Sequence, residues 1–208
     1  MKKENTIKPS VVKMTDRKIH NRLEAWFKSA STASIVSGIS WYSEAQETAS
    51  AIGKQFDIDP YIAATVISSL SPHNKWERNA SDAWAVCACW YAGKGPESVK
   101  VCTFNKNKEK AFRALEGELI AETAPKTHSF SANIGRLSSD HITIDMWMVR
   151  ACLTLPNEEP VAVVEGITAV QYRRLERIAS TLAKKHSLKG FQFQAIVWVT
   201  IKKRWEGQ

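Results

Sequence analysis

Apolar residues along this chain return at intervals of three and four far more often than at alternate positions. Leu23, Trp26 and Phe27 form one such set, Ile39, Tyr42, Ala45 and Ala49 a second, and Ile62, Val66, Ile67 and Leu70 a third. That spacing lays a continuous stripe along one face of an α-helix, so three helices are predicted. Asp59-Pro60 marks the start of the third: Asp caps free amides, and proline at the first helical position gives up no hydrogen bond. A fourth helix is predicted over about 75–92, carrying Trp76, Ala80, Ala83, Trp84, Cys87 and Trp90 and stopped by Gly93-Lys94-Gly95-Pro96. A fifth covers about 106–115 and closes at Gly117. Thr168 followed by Gln171 has capping-box spacing and opens a helix through Leu175, Ile178 and Leu182 to about His186. The last predicted helix, 191–205, ends in Lys202-Lys203-Arg204, which suits the negative pole of its dipole. Only 138–143 and 159–164 read as short strands or loops. The expected class is all-α, eight to ten helices arranged as a two-lobed domain over 16–208, without internal repeats. Residues 1–15, with Lys2, Lys3, Lys8 and Lys13 and no apolar periodicity, read as a flexible basic arm.

Composition narrows the function classes. The 208 residues are 44% hydrophobic and 24% charged, which is ordinary globular usage. No apolar run approaches the roughly 20 residues that span a bilayer, and the N-terminus lacks a signal-peptide pattern, so a soluble cytoplasmic protein with no membrane partner is expected. Cys87, Cys89, Cys102 and Cys152 form no Cys-x-x-Cys pair, and His20, His128, His141 and His186 lack metal-ligand spacing, so neither metal nor cofactor is expected. Phosphate-binding glycine loops and Gly-x-Ser-x-Gly elbows are absent, which sets aside nucleotide triphosphatases and serine hydrolases. Lys plus Arg exceed Asp plus Glu by 29 − 21 = 8, the electrostatic profile of a protein that meets polyanions. DNA is the expected partner.

Two segments set polar residues directly beside very apolar helices. In the first, Ser68 to Asn79, Pro72 ends one helix and the chain restarts within a few residues. His73, Asn74, Lys75 and Trp76 should therefore project from a tight corner, with Asn79 one turn on. Singly, His73 reads as a surface residue, Asn74 as an N-cap and Trp76 as a core aromatic. Together they form a cationic, hydrogen-bonding, aromatic wedge of the kind that enters a duplex and replaces an extruded base. The second segment runs from Ala124 to Ala151: a short helix with Lys126 and Asn133, a loop, then a helix beginning at Asp145 with Trp147 and Arg150 behind it. Asp145 is an N-cap by position, worth about 1 kcal/mol to its helix. An ionised carboxylate fixed there also stabilises an oxocarbenium-like sugar or activates a water. Trp41, Tyr42 and Trp147 are candidates for a base pocket, whereas Trp84, Trp90 and Trp198 read as core.

The run "SSLSPHNKWERNASDA" at 68–83 resembles the helix and turn that supply a DNA-wedging residue in the helix-hairpin-helix DNA glycosylases, with His73 at the wedge position. Ser131-Ala132-Asn133 resembles the end of that family's "K-T-A-N" pattern, and Ile144-Asp145-Met146-Trp147-Met148-Val149-Arg150 its "V-D-T-H-x-x-R", whose aspartate is catalytic. Order and approximate spacing agree over roughly 58–155. The chain is also similar to a phage and actinobacterial group sharing "SLSP…W…N" and "TID-W". The resemblance implies a two-lobed helical glycosylase fold. It further implies Asp145 as the catalytic carboxylate, with Lys126, Asn133 and Arg150 supporting the phosphate or the carboxylate. Departures shape what else it implies. Residues 122–127 lack the Gly-x-Gly of the family hairpin, and no cysteine follows Cys152, so no iron–sulfur cluster is implied. Phe130 stands where bifunctional members carry a Schiff-base lysine, so a monofunctional enzyme without a lyase step is implied.

Three functions fit these residues: a monofunctional glycosylase acting on a flipped base, a glycosylase-derived enzyme that modifies a phage pyrimidine, and a non-catalytic DNA-binding protein in which Asp145 only caps.

Overall fold

The computed structural model describes residues 13–118, 120, 123–135, 140–159 and 166–206. Among these the regular structure is all-helical, without strands: α1 (Asp16–Lys28), α2 (Thr32–Phe56), α3 (Pro60–Leu70), α4 (Trp76–Tyr91), α5 (Asn105–Leu115), α6 (Pro125–Gly135), α7 (Met146–Leu153), α8 (Ala169–Lys185) and α9 (Gly190–Glu206), with a 3-10 turn at Pro96–Ser98. Of the two segments read as strands or loops, residues 140–143 and 159 are irregular, and 138–139 and 160–164 lie outside the described residues. So do Lys2, Lys3 and Lys8 of the basic arm and Glu122 of the hairpin region. Within the stretch read as a basic arm, Thr15 caps α1 by accepting from the amide of Lys18, and Met14 packs on the core.

The chain divides into two compact units, one comprising Met1–Trp41 and Ile142–Gln208, the other Tyr42–His141. The boundary falls inside α2.

The first unit packs α1, α7, α8 and α9 against one another. In α1, Ile19, Leu23 and Trp26 recur at i, i+4 and i+7 and are buried together, meeting Tyr172, Leu175, Ile178, Ala179 and Leu182 of α8 in one core with Phe193 and Val197 of α9. The capping box expected at Thr168 is formed in both directions. Trp26 donates its indole N–H to the carbonyl of Thr154 at 2.9 Å, so its bulk is buried without an orphaned donor. Outside the core, Asp16 binds the guanidinium groups of Arg174 and Arg177 at 2.6 and 2.8 Å, and Glu24 binds Lys185 at 2.6 Å. The hydrogen bond from Arg174 holds the Asp16 carboxyl below its ordinary range, and the one from Lys185 does the same for Glu24. Gly38 of α2 lies where a Cβ would sit 2.6 Å from the Cα of Ile196, so the close approach of these two backbones requires glycine.

The second unit is built around α3, whose eight residues from Ala63 to Leu70 are all buried under α4, α5 and α6. The start signal read from the sequence operates as expected, with Asp59 accepting from the Tyr61 amide at 2.7 Å and Pro60 in the first turn. Both predicted stops fall on glycines with positive φ, Gly93 at 69° after α4 and Gly117 at 94° after α5. A polar seam runs between α3 and α6, where Thr65 and Ser131 share a hydrogen bond of 2.9 Å.

Candidate functional site

Asp145 sits at the N-cap of α7, and its environment is assembled from three parts of the first unit. The approach to it is an extended segment whose Ile144 amide donates to the hydroxyl of Tyr172 at 3.1 Å, while that hydroxyl donates to the carbonyl of Ile142 at 2.8 Å. One buried tyrosine thereby pins the strand-like lead into the cap. The carboxylate then accepts the Met148 amide at Oδ1, 2.9 Å away, and the indole N–H of Trp198 at Oδ2, also 2.9 Å away. Asp145 remains half-buried. An N-cap carboxylate on a helix start is favoured by the positive end of the dipole. The indole adds a second, directional donor from α9.

Around this carboxylate the unit gathers aromatic rings and cations. Trp198 lies 5.7 Å from Trp41 between ring centroids, and the ammonium of Lys202 stands 4.7 Å over Trp198. Arg150, one turn into α7, places its guanidinium 4.5 Å over Trp147 and 5.0 Å over Trp205, whose rings are themselves 5.6 Å apart. Burial lowers the pKa of Arg150, and the charge of Asp145 opposes that shift. Its Nε is buried with no hydrogen-bond partner among the described residues. All seven of these side chains are partly exposed. The arrangement holds a carboxylate in fixed orientation beside flat apolar faces and a guanidinium, a combination suited to a planar ring attached to a group that becomes cationic.

The wedge segment belongs to the second unit. His73 is exposed and adopts φ 59°, a left-handed conformation that costs a non-glycine residue roughly 1 kcal/mol. Lys75 is the exposed N-cap of α4 and makes no side-chain cap bond; Trp76, half-buried, is the first helical residue. Asn74 does not cap the helix. Its amide donates to Asp82 Oδ2 at 3.0 Å, and the same carboxylate accepts Arg78 Nε at 2.9 Å and the Cys102 amide at 2.7 Å. Asp82, only 2% exposed, is the pin that holds the corner. Asn79 and Asn133, both expected at a DNA surface, are fully buried and donate to the carbonyls of Ile67 and His141. Lys126 is half-buried in the first turn of α6. Tyr42 is buried with its ring edge-on to Phe130 at 6.3 Å, so of the three base-pocket candidates Trp147, two residues from Asp145, and Trp41, packed on Trp198, belong to the first unit and Tyr42 is core in the second.

Sequence reading missed four residues that shape these two places. Trp198, read as core from its apolar neighbours, donates to Asp145; Tyr172, Trp205 and Asp82 carried no local signal. Among the described residues no group of three or more His, Cys, Asp or Glu is placed to hold a metal, and no helix is long and apolar enough to cross a membrane.

The fold and this site define an all-helical protein with a tryptophan-lined carboxylate at a helix start. The chain belongs to the family described as "Family of unknown function (DUF7178)", whose model matches residues 5–205. No curated protein and no solved structure matches it.

Proposed function

We propose that the protein is a DNA glycosylase-like enzyme that acts on a base turned out of the duplex and cleaves its N-glycosidic bond without a lyase step. The observation that carries this reading is the carboxylate of Asp145, fixed by two donors, half-exposed and set among Trp41, Trp147 and Trp198. In such a site the indole faces receive the planar base and the anion stabilises the deoxyribose as the C1′–N bond breaks. The departing base takes the bonding pair and a proton. A water oxygen then bonds to C1′ and loses its proton, leaving an abasic sugar in an unbroken strand. In this reading Arg150 meets a phosphate. The net charge of +8 and the likeness of 68–83 and 144–150 to helix-hairpin-helix glycosylases support the same partner.

A second reading is favoured by one feature of the same site: both carboxylate oxygens of Asp145 already accept hydrogen bonds. A nucleic-acid-binding protein in which Asp145 is a cap needs nothing more. Incubation of the protein with DNA carrying a panel of damaged and modified bases, followed by detection of abasic sites, separates the two. Abasic sites that vanish in Asp145→Asn, with no covalent complex trapped by borohydride, support the enzyme. Salt-dependent binding without abasic sites or altered nucleosides supports the binding protein.

A further inference from the structure

The corner of the second unit contains a feature that neither reading above uses. Phe104 occupies the N-cap of α5, where it makes no cap hydrogen bond, and it is 58% exposed. Phenylalanine is a poor residue for that position on two counts. It leaves the first amides of the helix without a side-chain acceptor, and it presents an aromatic face to water. Its ring stands edge-on to that of His73 at 5.9 Å, and Lys106 holds its ammonium 5.8 Å over it. His73 is itself the residue forced into the left-handed region. Two departures from local preference thus meet at one point.

The backbone beneath them is firmly braced. Thr103 donates its hydroxyl to the carbonyl of Pro72 at 3.0 Å, Asn107 donates to Thr103 at 2.8 Å, and Asp82 ties Asn74 to the Cys102 amide. A rigid base carrying two exposed rings, with Lys75 and Lys106 also exposed, combines a stacking face with phosphate-seeking charges. Exposed apolar patches that bind proteins are poor in lysine, whereas single-stranded nucleic acids are held by aromatic faces flanked by cations.

We propose that Phe104 is a stacking platform for an unpaired nucleotide on the ring face away from the Lys106 ammonium, with His73 standing perpendicular beside it and Lys75 and Lys106 contacting the adjoining phosphates. The proposal shares its nucleic-acid partner with the function above and is independent of any chemistry at Asp145. Its test uses fluorescence anisotropy of the full-length chain with labelled oligo-dT, a fully paired duplex and polyglutamate as competitor. Phe104→Ser supplies a capping hydroxyl, and His73→Gly relieves the left-handed backbone, so both variants should hold or raise the melting temperature. Each should nevertheless bind oligo-dT roughly tenfold or more weakly, while Phe104→Trp retains affinity. Lys75→Ala and Lys106→Ala should each flatten the slope of log affinity against log salt by about 0.7. Wild-type affinity in both Phe104→Ser and His73→Gly overturns the platform, as does a loss of duplex affinity in these variants equal to the loss for oligo-dT, or polyglutamate displacing oligo-dT equally well. Weakened binding in these variants together with an absence of abasic sites upholds the platform and removes only the glycosylase. A wild-type chain that binds no nucleic acid removes both.

Discussion

The two units each contain an aspartate held by donors from distant parts of the sequence, and the two are held differently. Asp82 is 2% exposed and accepts three hydrogen bonds, from a side-chain amide, a guanidinium and a backbone amide. Asp145 is half-buried and accepts the Met148 amide and the Trp198 indole N–H among its contacts, with rings and cations nearby. A carboxylate saturated by hydrogen bonds and removed from water can do little except hold its donors in place. One that keeps a solvent-facing side beside flat rings is available to a ligand. The contrast assigns a structural part to Asp82 and leaves Asp145 as the centre of the candidate site.

The largest way to break the contrast is to remove each carboxylate in turn. Asp82→Ala strands the Asn74 amide, the Cys102 amide and Arg78, and hydrogen bonds to a charged group are worth about 1.5–3 kcal/mol each. Arg78 and Cys102 are exposed and regain water, so denaturant unfolding should show a loss of only roughly 2–4 kcal/mol. The comparable change in the first unit, Asp145→Asn, keeps a capping oxygen, because asparagine caps about as well as aspartate. It loses the bond from Trp198 and should cost only about 1 kcal/mol. Turnover, in contrast, should fall on the order of a hundredfold or more where Asp145 stabilises a developing cation. Equal destabilisation by the two substitutions would erase the distinction.

A smaller effect sharpens the same comparison through Trp198. Trp198→Phe retains most of the apolar surface and deletes the donor to Oδ2, so the fold should lose about 1 kcal/mol while the affinity for DNA changes little. In the enzymatic reading the freed carboxylate is less well oriented, and turnover falls more than binding. A drop in stability as large as that of Asp82→Ala would make Trp198 and Asp145 a structural pair.

How far these places were readable from the sequence depends on how local their contacts are. Asp145 as a cap, Thr168 with Gln171 as a capping box, and Asp59-Pro60 as a start all involve partners within three residues, and each shows in the sequence. The place where the two units divide does not, because the Ile39, Tyr42, Ala45, Ala49 stripe continues unbroken through α2 across the boundary. Trp198 lies 53 residues from the aspartate it holds, flanked by Val197 and Val199, so its pattern is that of a core residue. Asn79, from its place after the wedge turn, and Asn133, from its likeness to a family motif, read as residues that meet DNA. In the folded chain they satisfy buried carbonyls instead, which is the usual fate of a polar side chain surrounded by helices.

Acid acts on the first unit through its outer clamps. The carboxyls of Asp16 and Glu24 are held below their ordinary values of 3.8 and 4.5 by Arg174 and Lys185. A lowered folded-state pKa means that the unfolded chain takes up protons first. The clamps therefore contribute fully above about pH 4.5 and fade as the pH falls through and below the ordinary carboxylate range. Both pairs lie at the surface, where salt screens them, so the effect is modest and should shrink further in high salt. Asp16→Asn should flatten the acid limb of the stability curve. An unchanged limb would show that the Asp16 clamp contributes nothing measurable.

The smallest expected signal is also the one that reads the two units separately. Each contains a deeply buried thiol, Cys87 in the second unit and Cys152 in the first, and burial pushes each pKa up to about 12. A thiol held protonated and away from water reacts with an alkylating reagent only when its surroundings open. Cys102, exposed, and Cys89, partly exposed, should be labelled at once, leaving two slow sites that mass spectrometry distinguishes by peptide. In Asp82→Ala, Cys87 should become labelled faster than in the parent while Cys152 changes less, since the lost hydrogen bonds all lie in the second unit. Asp145→Asn should produce the opposite ranking, faint because asparagine keeps the capping oxygen. If both thiols accelerate together in either variant, the two units open as one, and the separate roles given to the two aspartates would have to be argued from activity alone.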